Sequence, residues 1–147
     1  GINVHADFAA VNVNFWITPS QSNMSEESGG LIVYDVEAPV SWDFETYNSD
    51  QALIRKEIQV KKGEASVIPH LENRIVIFNS NLFHETDRYK FKEGYENRRI
   101  NVTMLSAMHS IHSLVMPRRE RERKGRAGER RGETHTHTHS KTHVCVM

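Results

Sequence analysis

The stretch RIVIFNSNLFHETDRYKFKEGYENRRINVTML, residues 74–105, decides the fold of this chain. It begins with a β-branched and aromatic run, which Asn79-Ser80-Asn81 interrupts before a second extended segment that carries His84. After a polar loop, strict alternation resumes over residues 98–107. The pattern predicts three short strands and places a single His and a single Arg, Arg99, on neighbouring ones.

The last of these strands has one polar and one apolar face. One face carries Arg99, Asn101 and Thr103 and ends in the apolar Leu105. The other face carries Ile100, Val102 and Met104. Arg, Asn and Thr in this order suit the mouth of a barrel that binds an anionic ligand. We therefore expect an acidic group near Arg99. Two alternatives remain: Arg99 pairs with Glu96 or Glu85, or a register shift of one residue puts Arg98 in its place.

Composition limits the classes of protein to which the chain belongs. Its 147 residues suffice for one domain, and no apolar run is long enough for a membrane span. Up to Met116 there are 10 basic and 15 acidic residues, a net charge of −5, which argues against nucleic acid as a partner. The single Cys145 excludes disulfide scaffolds and Cys-ligated zinc. The first residues show no signal-peptide or transit pattern, so we expect the chain to start inside a domain, and the compartment stays open with a cytoplasmic location favoured.

The rest of the chain also predicts strands. Residues 11–18 alternate between an apolar face and a face of Asn12, Asn14 and Trp16, as in a half-buried strand. Further strands are predicted at 31–34, 64–68 and 74–78, and a helical insertion lies between Asp35 and Lys62. Many short strands separated by turn signals indicate an all-β barrel or sandwich.

The tail from Pro117 differs in kind from what precedes it. Its net charge is +5, from 9 basic and 4 acidic residues. Arg-Glu-Arg-Glu-Arg at 119–123 and Thr-His-Thr-His-Thr-His at 134–139 are what simple dinucleotide repeats encode. We expect a linker at 108–116 and a disordered, low-complexity tail at 117–147. In the competing interpretation, the His tract binds metal and the Arg run is a basic interaction arm.

Three residues form a candidate metal-ligand set. His5 and Asp7 stand two apart in extended chain and so point to the same side, and His84 follows on a later strand. Two imidazoles and one carboxylate are the ligands that occupy one face of an octahedral Fe(II) and leave three positions open. The alternative is that His5 and Asp7 stand two apart on the surface by chance, and that His84 is a structural residue held by hydrogen bonds.

The order His-x-Asp, a long interval, His and then Arg resembles the Fe(II)/2-oxoglutarate-dependent oxygenases. NFWITP at 14–19, ESGGLIVYD at 27–35 and the stretch quoted above are similar to prolyl-hydroxylase-like and phytanoyl-CoA-hydroxylase-like members. The resemblance covers residues 1–107. It implies an all-β, double-stranded β-helix core of the jelly-roll or cupin-like kind.

The resemblance also implies an activity and its residues. His5, Asp7 and His84 match the metal ligands, Arg99 matches the residue that binds the distal carboxylate of 2-oxoglutarate, and Asn101 and Thr103 assist it. Asn12, Asn14 and Trp16 line the same pocket. The implied reaction hydroxylates a small molecule or an amino-acid side chain and forms succinate and CO2, with Fe(II), 2-oxoglutarate and, optionally, ascorbate.

The chain departs from the family at its start. Members have a further core strand and supporting helices before His-x-Asp, whereas only four residues precede it here, so we expect a fragment whose Ile100, Val102 and Met104 face lacks its cover. A different class stays open, namely a non-catalytic cupin-like binding module or an inactive truncated gene product. The sequence predicts a structural or packing role for His70, His109 and His112, and for Trp42, Phe44 and Tyr47.

Overall fold

The computed structural model describes residues 1–106 and 144–147. In this part of the chain, short strands and turns dominate, as the alternating stretches predict, and the helices are confined to one insertion. The elements in chain order are β1 (Val11–Trp16), β2 (Leu31–Glu37), α1 (Phe44–Ser49), α2 (Gln51–Val60), β3 (Ala65–Ile68), β4 (Ile75–Asn79), β5 (Leu82–Thr86), β6 (Asn101–Ser106) and β7 (Cys145–Val146).

The strands form two antiparallel sheets. One has four strands in the order β6-β1-β4-β7, and the other has three in the order β3-β2-β5. In the first sheet Asn14 of β1 faces Val76 of β4 on one side and Thr103 of β6 on the other. The prediction of a mostly β protein is confirmed.

The prediction that His84 and Arg99 lie on neighbouring strands is wrong. His84 is on β5 of the three-stranded sheet, whereas Arg99 lies two residues before β6, at the edge of the four-stranded sheet. The turn at Ser80-Asn81 moves the chain from β4 in one sheet to β5 in the other. The two residues therefore face each other from opposite sheets.

A buried cluster joins the two sheets. Side chains from β1 and β4 meet those from β2, β3 and β5, as strand alternation requires, since every second residue points inward. The cluster comprises Trp16, Leu31, Val33, Ile68, Val76, Phe78 and Leu82. Asn12, Asn14 and His84 share these inward faces and are also buried. The interior is thus apolar around Trp16 and polar towards Asn12.

A second cluster lies on the opposite face of the three-stranded sheet. Helix α2 packs there through Ile54 and Ile58, against Phe83 of β5 and Val4 of the N-terminal segment. Asp50 caps this helix by accepting a hydrogen bond from the backbone N–H of Leu53, at 3.0 Å. The helical insertion predicted between Asp35 and Lys62 is confirmed, and it contains both α1 and α2.

The outer face of β6 is apolar and exposed. Ile100, Val102 and Met104 are 43%, 42% and 53% exposed. No segment within residues 1–106 or 144–147 covers them, which agrees with the uncovered face predicted for this strand. In the same part of the chain, no helix has the length and apolar character needed to cross a membrane.

The last four residues differ from the predicted disordered tail. Cys145 and Val146 pair with Ile77 and Val76 of β4, and Val144 packs against the cluster between the sheets. For these residues the prediction is wrong, because apolar side chains and a free edge of β4 stabilise a short strand that composition alone does not reveal. The linker and the remainder of the tail, including His109 and His112, lie outside the described residues.

Candidate metal centre

Backbone hydrogen bonds place His5 directly opposite His84. The N–H of His5 donates to the carbonyl of His84 at 3.0 Å, and the N–H of His84 donates back at 2.8 Å. Further along, the N–H of Thr86 donates to the carbonyl of Ile2 at 3.0 Å. The N-terminal segment therefore runs antiparallel to β5, and the two imidazole rings lie with their centroids 4.3 Å apart.

Asp7 completes the group. Its N–H donates to the carbonyl of Ser80 at 3.0 Å, in the turn that precedes β5. One carboxylate oxygen lies 3.4 Å from Nε2 of His84, and the other lies 3.9 Å from Nε2 of His5. One ligand atom from each of the three residues lies within 4.8 Å of the other two. The structure thus brings together the three ligands that the sequence predicts.

The donor set fits a divalent cation. Nδ1 of His5 lies 2.7 Å from the carbonyl oxygen of Asn3, and Nδ1 of His84 lies 2.8 Å from that of Leu82. A carbonyl only accepts, so in the neutral rings the proton is on Nδ1 and Nε2 presents a lone pair. Two lone pairs and a carboxylate then converge without a donor between them, an arrangement that a bound cation stabilises.

The protonation of the group supports the same conclusion. Burial and the neighbouring His84 lower the pKa of His5, and these effects outweigh the carbonyl of Asn3 and the charge of Asp7. Burial alone raises the pKa of Asp7, but the hydrogen bond and charge that His84 supplies when its Nε2 is also protonated, together with His5 and Asn12, hold it below its ordinary value. At neutral pH His5 is neutral and Asp7 ionised, as metal binding requires.

A polar chamber of about 230 Å³ adjoins the metal centre. It lies between the sheets, because its lining comes from β1 and β6 on one side and from β2 and β5 on the other. The predicted residues that line it are His5, Asp7, Asn12, Asn14, His84, Arg99, Asn101 and Thr103. Trp16 is not among its lining residues. It shares the inward face of β1, but it is fully buried in the apolar cluster beside His70.

A chain of hydrogen bonds runs the length of this chamber. Nη1 of Arg99 donates to Asn101 at 3.4 Å, Asn101 donates to Asn14 at 2.9 Å, Asn14 to Asn12 at 2.7 Å, and Asn12 to the carboxylate of Asp7 at 2.9 Å. The guanidinium can only donate and the carboxylate can only accept, so the two ends fix the orientation of every amide between them. The chain connects the metal centre to the one cation among the lining residues.

The guanidinium of Arg99 is held by backbone carbonyls of Gly29 and Gly30 and by the ring of Tyr89. Nε donates to the carbonyl of Gly29 at 2.6 Å, Nη2 donates to that of Gly30 at 2.9 Å, and the group lies 5.4 Å from the centre of the Tyr89 ring. Gly29 has φ +83°, and a Cβ on Gly30 would lie 1.9 Å from the carbonyl oxygen of Ile68. Only glycine fits at either position. The two consecutive glycines are therefore the feature of the sequence that could have identified the carbonyl groups that bind Arg99.

The alternatives for Arg99 are resolved by this geometry. Arg98 is exposed and lies over the ring of Tyr95, so the alternation that favours Arg99 is correct. Glu85 is paired with Arg55 through contacts of 2.9 and 2.6 Å. Within the described residues no carboxylate lies in salt-bridge range of Arg99. Burial lowers the pKa of Arg99, but the pKa of a guanidinium is ordinarily so far above neutral that the group stays protonated at neutral pH.

We compared the chain with protein-family models, with curated proteins and with solved structures, and none of the three comparisons gave a match. The function is therefore argued from the site alone.

Proposed function

We propose that this chain is the double-stranded β-helix core of an Fe(II)- and 2-oxoglutarate-dependent dioxygenase. One observation carries the proposal: two imidazole Nε2 atoms and a carboxylate converge at one end of a chamber whose lining includes the guanidinium of Arg99. Two His and one carboxylate leave coordination positions open on an octahedral metal. The open positions and the nearby cation together suit a small acid that chelates iron.

His5, Asp7 and His84 hold the metal in this proposal, and Arg99 binds the far carboxylate of the co-substrate. With both bound, one atom of O2 converts a substrate C–H into C–OH, and the other enters the succinate that forms as 2-oxoglutarate loses CO2. The protein supplies binding and orientation for this reaction.

The chamber has the properties that a five-carbon dicarboxylate needs. Its volume of about 230 Å³ lies below the roughly 300–1,000 Å³ typical of pockets for drug-sized ligands. Nη1 and Nη2 of Arg99 keep N–H groups beyond those bonded to Gly29, Gly30 and Asn101, and so can pair with a carboxylate. Because burial weakens screening by water, each of these contacts is stronger than at the surface.

The amide chain keeps Asp7 in place. Asn12 is completely buried and donates to Asp7, and Asn14 is 4% exposed and donates to Asn12. Hydrogen-bonded partners of this kind orient metal ligands and are important for metal affinity. Phe78 packs edge-on against the ring of His84 at 4.9 Å and limits its rotation. These contacts support the proposal, because they restrain the three side chains close to one another.

The test is formation of succinate from 2-oxoglutarate by the full chain with Fe(II), O2 and ascorbate. All proteins carry His135, His137 and His139 changed to Ala, so that the His tract in the sequence binds no iron. We expect succinate from this protein and none from the same protein with His84→Ala. A protein that binds Fe(II) through His84 but forms no succinate is a non-catalytic binding module, and the proposal is then wrong.

A further inference from the structure

A second cavity lies against Asp7, and the proposed function does not use it. It has a volume of about 150 Å³ and is separate from the polar chamber, although Asp7 lines both. Ala6, Phe8 and Ala9, the neighbours of Asp7 in sequence, contribute to it, together with Trp42 and Tyr47 from the helical insertion. We refer to it as the apolar cleft. The sequence predicts that Trp42 and Tyr47 have packing roles. Both residues also line this cleft.

The chemistry of the cleft differs from that of the chamber. Asp7 is the one charged side chain in its lining, and its carboxylate is engaged by Asn12 and lies beside the imidazoles of His5 and His84. Asn81 adds an amide, and the remaining lining residues are apolar or aromatic. No cation is available to pair with an anionic ligand, and none of the apolar side chains can replace the water around a charged group. The occupant of the cleft is therefore uncharged.

Exposed apolar side chains flank the cleft. Phe8 is 80% exposed and Val40 is fully exposed, and both are lining residues. Burial of apolar surface contributes about 25 cal/mol per Å², so a hydrocarbon group between these side chains gains from contact with both. Exposed apolar residues that adjoin a concave site indicate a binding surface.

The cleft is formed before any ligand arrives. The N–H of Ala6 donates to the carbonyl of Tyr47 at 3.1 Å, and the N–H of Asp7 donates to that of Ser80 at 3.0 Å. These bonds connect Ala6 to the helical insertion and Asp7 to the turn before β5. Trp42 lies 6.0 Å from the buried ring of Phe83, measured between centroids. Since little reordering is needed, even a small ligand can bind measurably.

The size of the cleft sets the size of the group it accepts. A cavity of about 150 Å³ with apolar walls can hold a benzene molecule. We propose that the apolar cleft binds an uncharged hydrocarbon group of about six carbons, an aryl, cycloalkyl or branched alkyl group, that belongs to the substrate to be hydroxylated. The inference rests on the proposed function, because the shared Asp7 places this group beside the metal centre.

Benzyl alcohol is the probe, and benzoate is its charged counterpart. Each is titrated into isotope-labelled, metal-free protein while the amide NMR signals are followed. We expect benzyl alcohol to shift the signals of residues 6–9 and 40–42 with a dissociation constant in the millimolar range, about 4 kcal/mol of binding free energy. Benzoate binds at least about tenfold more weakly, because the lining offers no cation to its carboxylate and Asp7 repels it. Equal binding of the two probes, or shifts confined to other regions, overturns the proposal.

Two substitutions test the location. Ala38→Leu puts a larger side chain into the lining of the cleft and should weaken benzyl alcohol at least about tenfold, whereas Ala52→Leu, at an exposed position on α2, should leave it unchanged. Val40→Ser changes a fully exposed position and so preserves the fold, and it should weaken binding severalfold. If neither cleft variant changes the affinity, the cleft is not the site.

A last measurement connects the probe to the metal centre. Mn(II) bound by the variant that lacks His135, His137 and His139 should strongly broaden the proton signals of bound benzyl alcohol, and Asp7→Asn should remove the broadening. Failure of this inference and failure of the proposed function have different signatures. Succinate formation without benzyl alcohol binding contradicts the cleft alone. Binding at the cleft without succinate formation contradicts the oxygenase and leaves an apolar site that serves another purpose.

Discussion

Two of the cavities that Asp7 borders have different linings. The chamber on one side is lined by amides, imidazoles, carboxylates and the guanidinium of Arg99, together with Ile2, Leu31 and Leu105, and a chain of hydrogen bonds connects its amides to Arg99. The apolar cleft on the other side is lined mostly by alanine, aromatic and aliphatic side chains, some of them exposed. The difference indicates that a charged co-substrate and an uncharged substrate group approach one metal from separate directions.

The two cavities also arise from different parts of the chain. The chamber is built mainly from strands, whose alternation puts Asn12, Asn14, Asn101 and Thr103 on inward faces. The cleft is built from irregular segments around Ala6 to Ala9 and residues 38–42, where no period applies. A polar site on a regular element is therefore visible in the sequence, and an apolar site in a loop is not.

Removal of the shared carboxylate should have the largest effect and should separate the two cavities. Asp7→Asn keeps the size of the side chain but removes a charged ligand, so we expect loss of Mn(II) binding at concentrations that saturate the parent protein. Benzyl alcohol should still bind in the metal-free protein. Calorimetry and NMR measure the two affinities, and Glu45→Gln, which removes an exposed charge on α1, is the matched control. Parallel loss of both ligands in Asp7→Asn would mean that the cavities are not independent.

Loss of the first amide in the chain should have a smaller effect, confined to the chamber side. Asn12→Ala removes the donor to Asp7, and loss of such a partner lowers metal affinity by about 10–100-fold. Benzyl alcohol binding should not change. The control is Gln59→Ala, which removes an exposed amide from α2. If Mn(II) binds Asn12→Ala as tightly as the parent protein, the hydrogen-bonded chain does not support the metal centre.

Much of the chamber could be predicted from the sequence, for identifiable reasons. His5 and Asp7 lie two apart in extended chain, and Arg99, Asn101 and Thr103 alternate with apolar residues, so their shared faces follow from local geometry. Three features could not be predicted. The first is the placement of His84 and Arg99 on opposite sheets, and the second is the addition of β7 to β4. Both depend on pairing between distant strands.

The third feature is the boundary between the polar and apolar parts of the interior. Trp16 follows Asn12 and Asn14 on one face, and alternation gives all three the same direction. The interior becomes apolar at Trp16 because Val33, Phe78 and Leu82 approach from other strands. Those contacts are tertiary. A periodic pattern gives the direction of a side chain but not the chemistry of what it meets.

The smallest predicted effect is a pH dependence of stability that arises from His70, which is buried beside Trp16. Burial lowers the pKa of His70, as do Arg99 and Arg74, while Glu72 has a weaker opposite effect. Below its ordinary pKa of 6.5, the unfolded chain therefore binds a proton at this residue more readily than the folded one, and stability falls as the pH falls. The melting temperature of the parent protein should drop more steeply between pH 7 and 5 than that of His70→Leu. Identical slopes would show that His70 is not held neutral in the fold.

The most direct test of the account is an anaerobic titration of the Fe(II)-loaded chain, lacking His135, His137 and His139, with 2-oxoglutarate. Chelation of the iron by 2-oxoglutarate gives a visible charge-transfer band, which we expect to saturate at one equivalent. Arg99→Gln should shift the midpoint about 10–100-fold, since charge-assisted hydrogen bonds contribute about 1.5–3 kcal/mol. Arg98→Gln, whose side chain is exposed, should leave it unchanged. Absence of the band from the Fe(II)-loaded protein, or equal midpoints for the two arginine variants, would contradict the account.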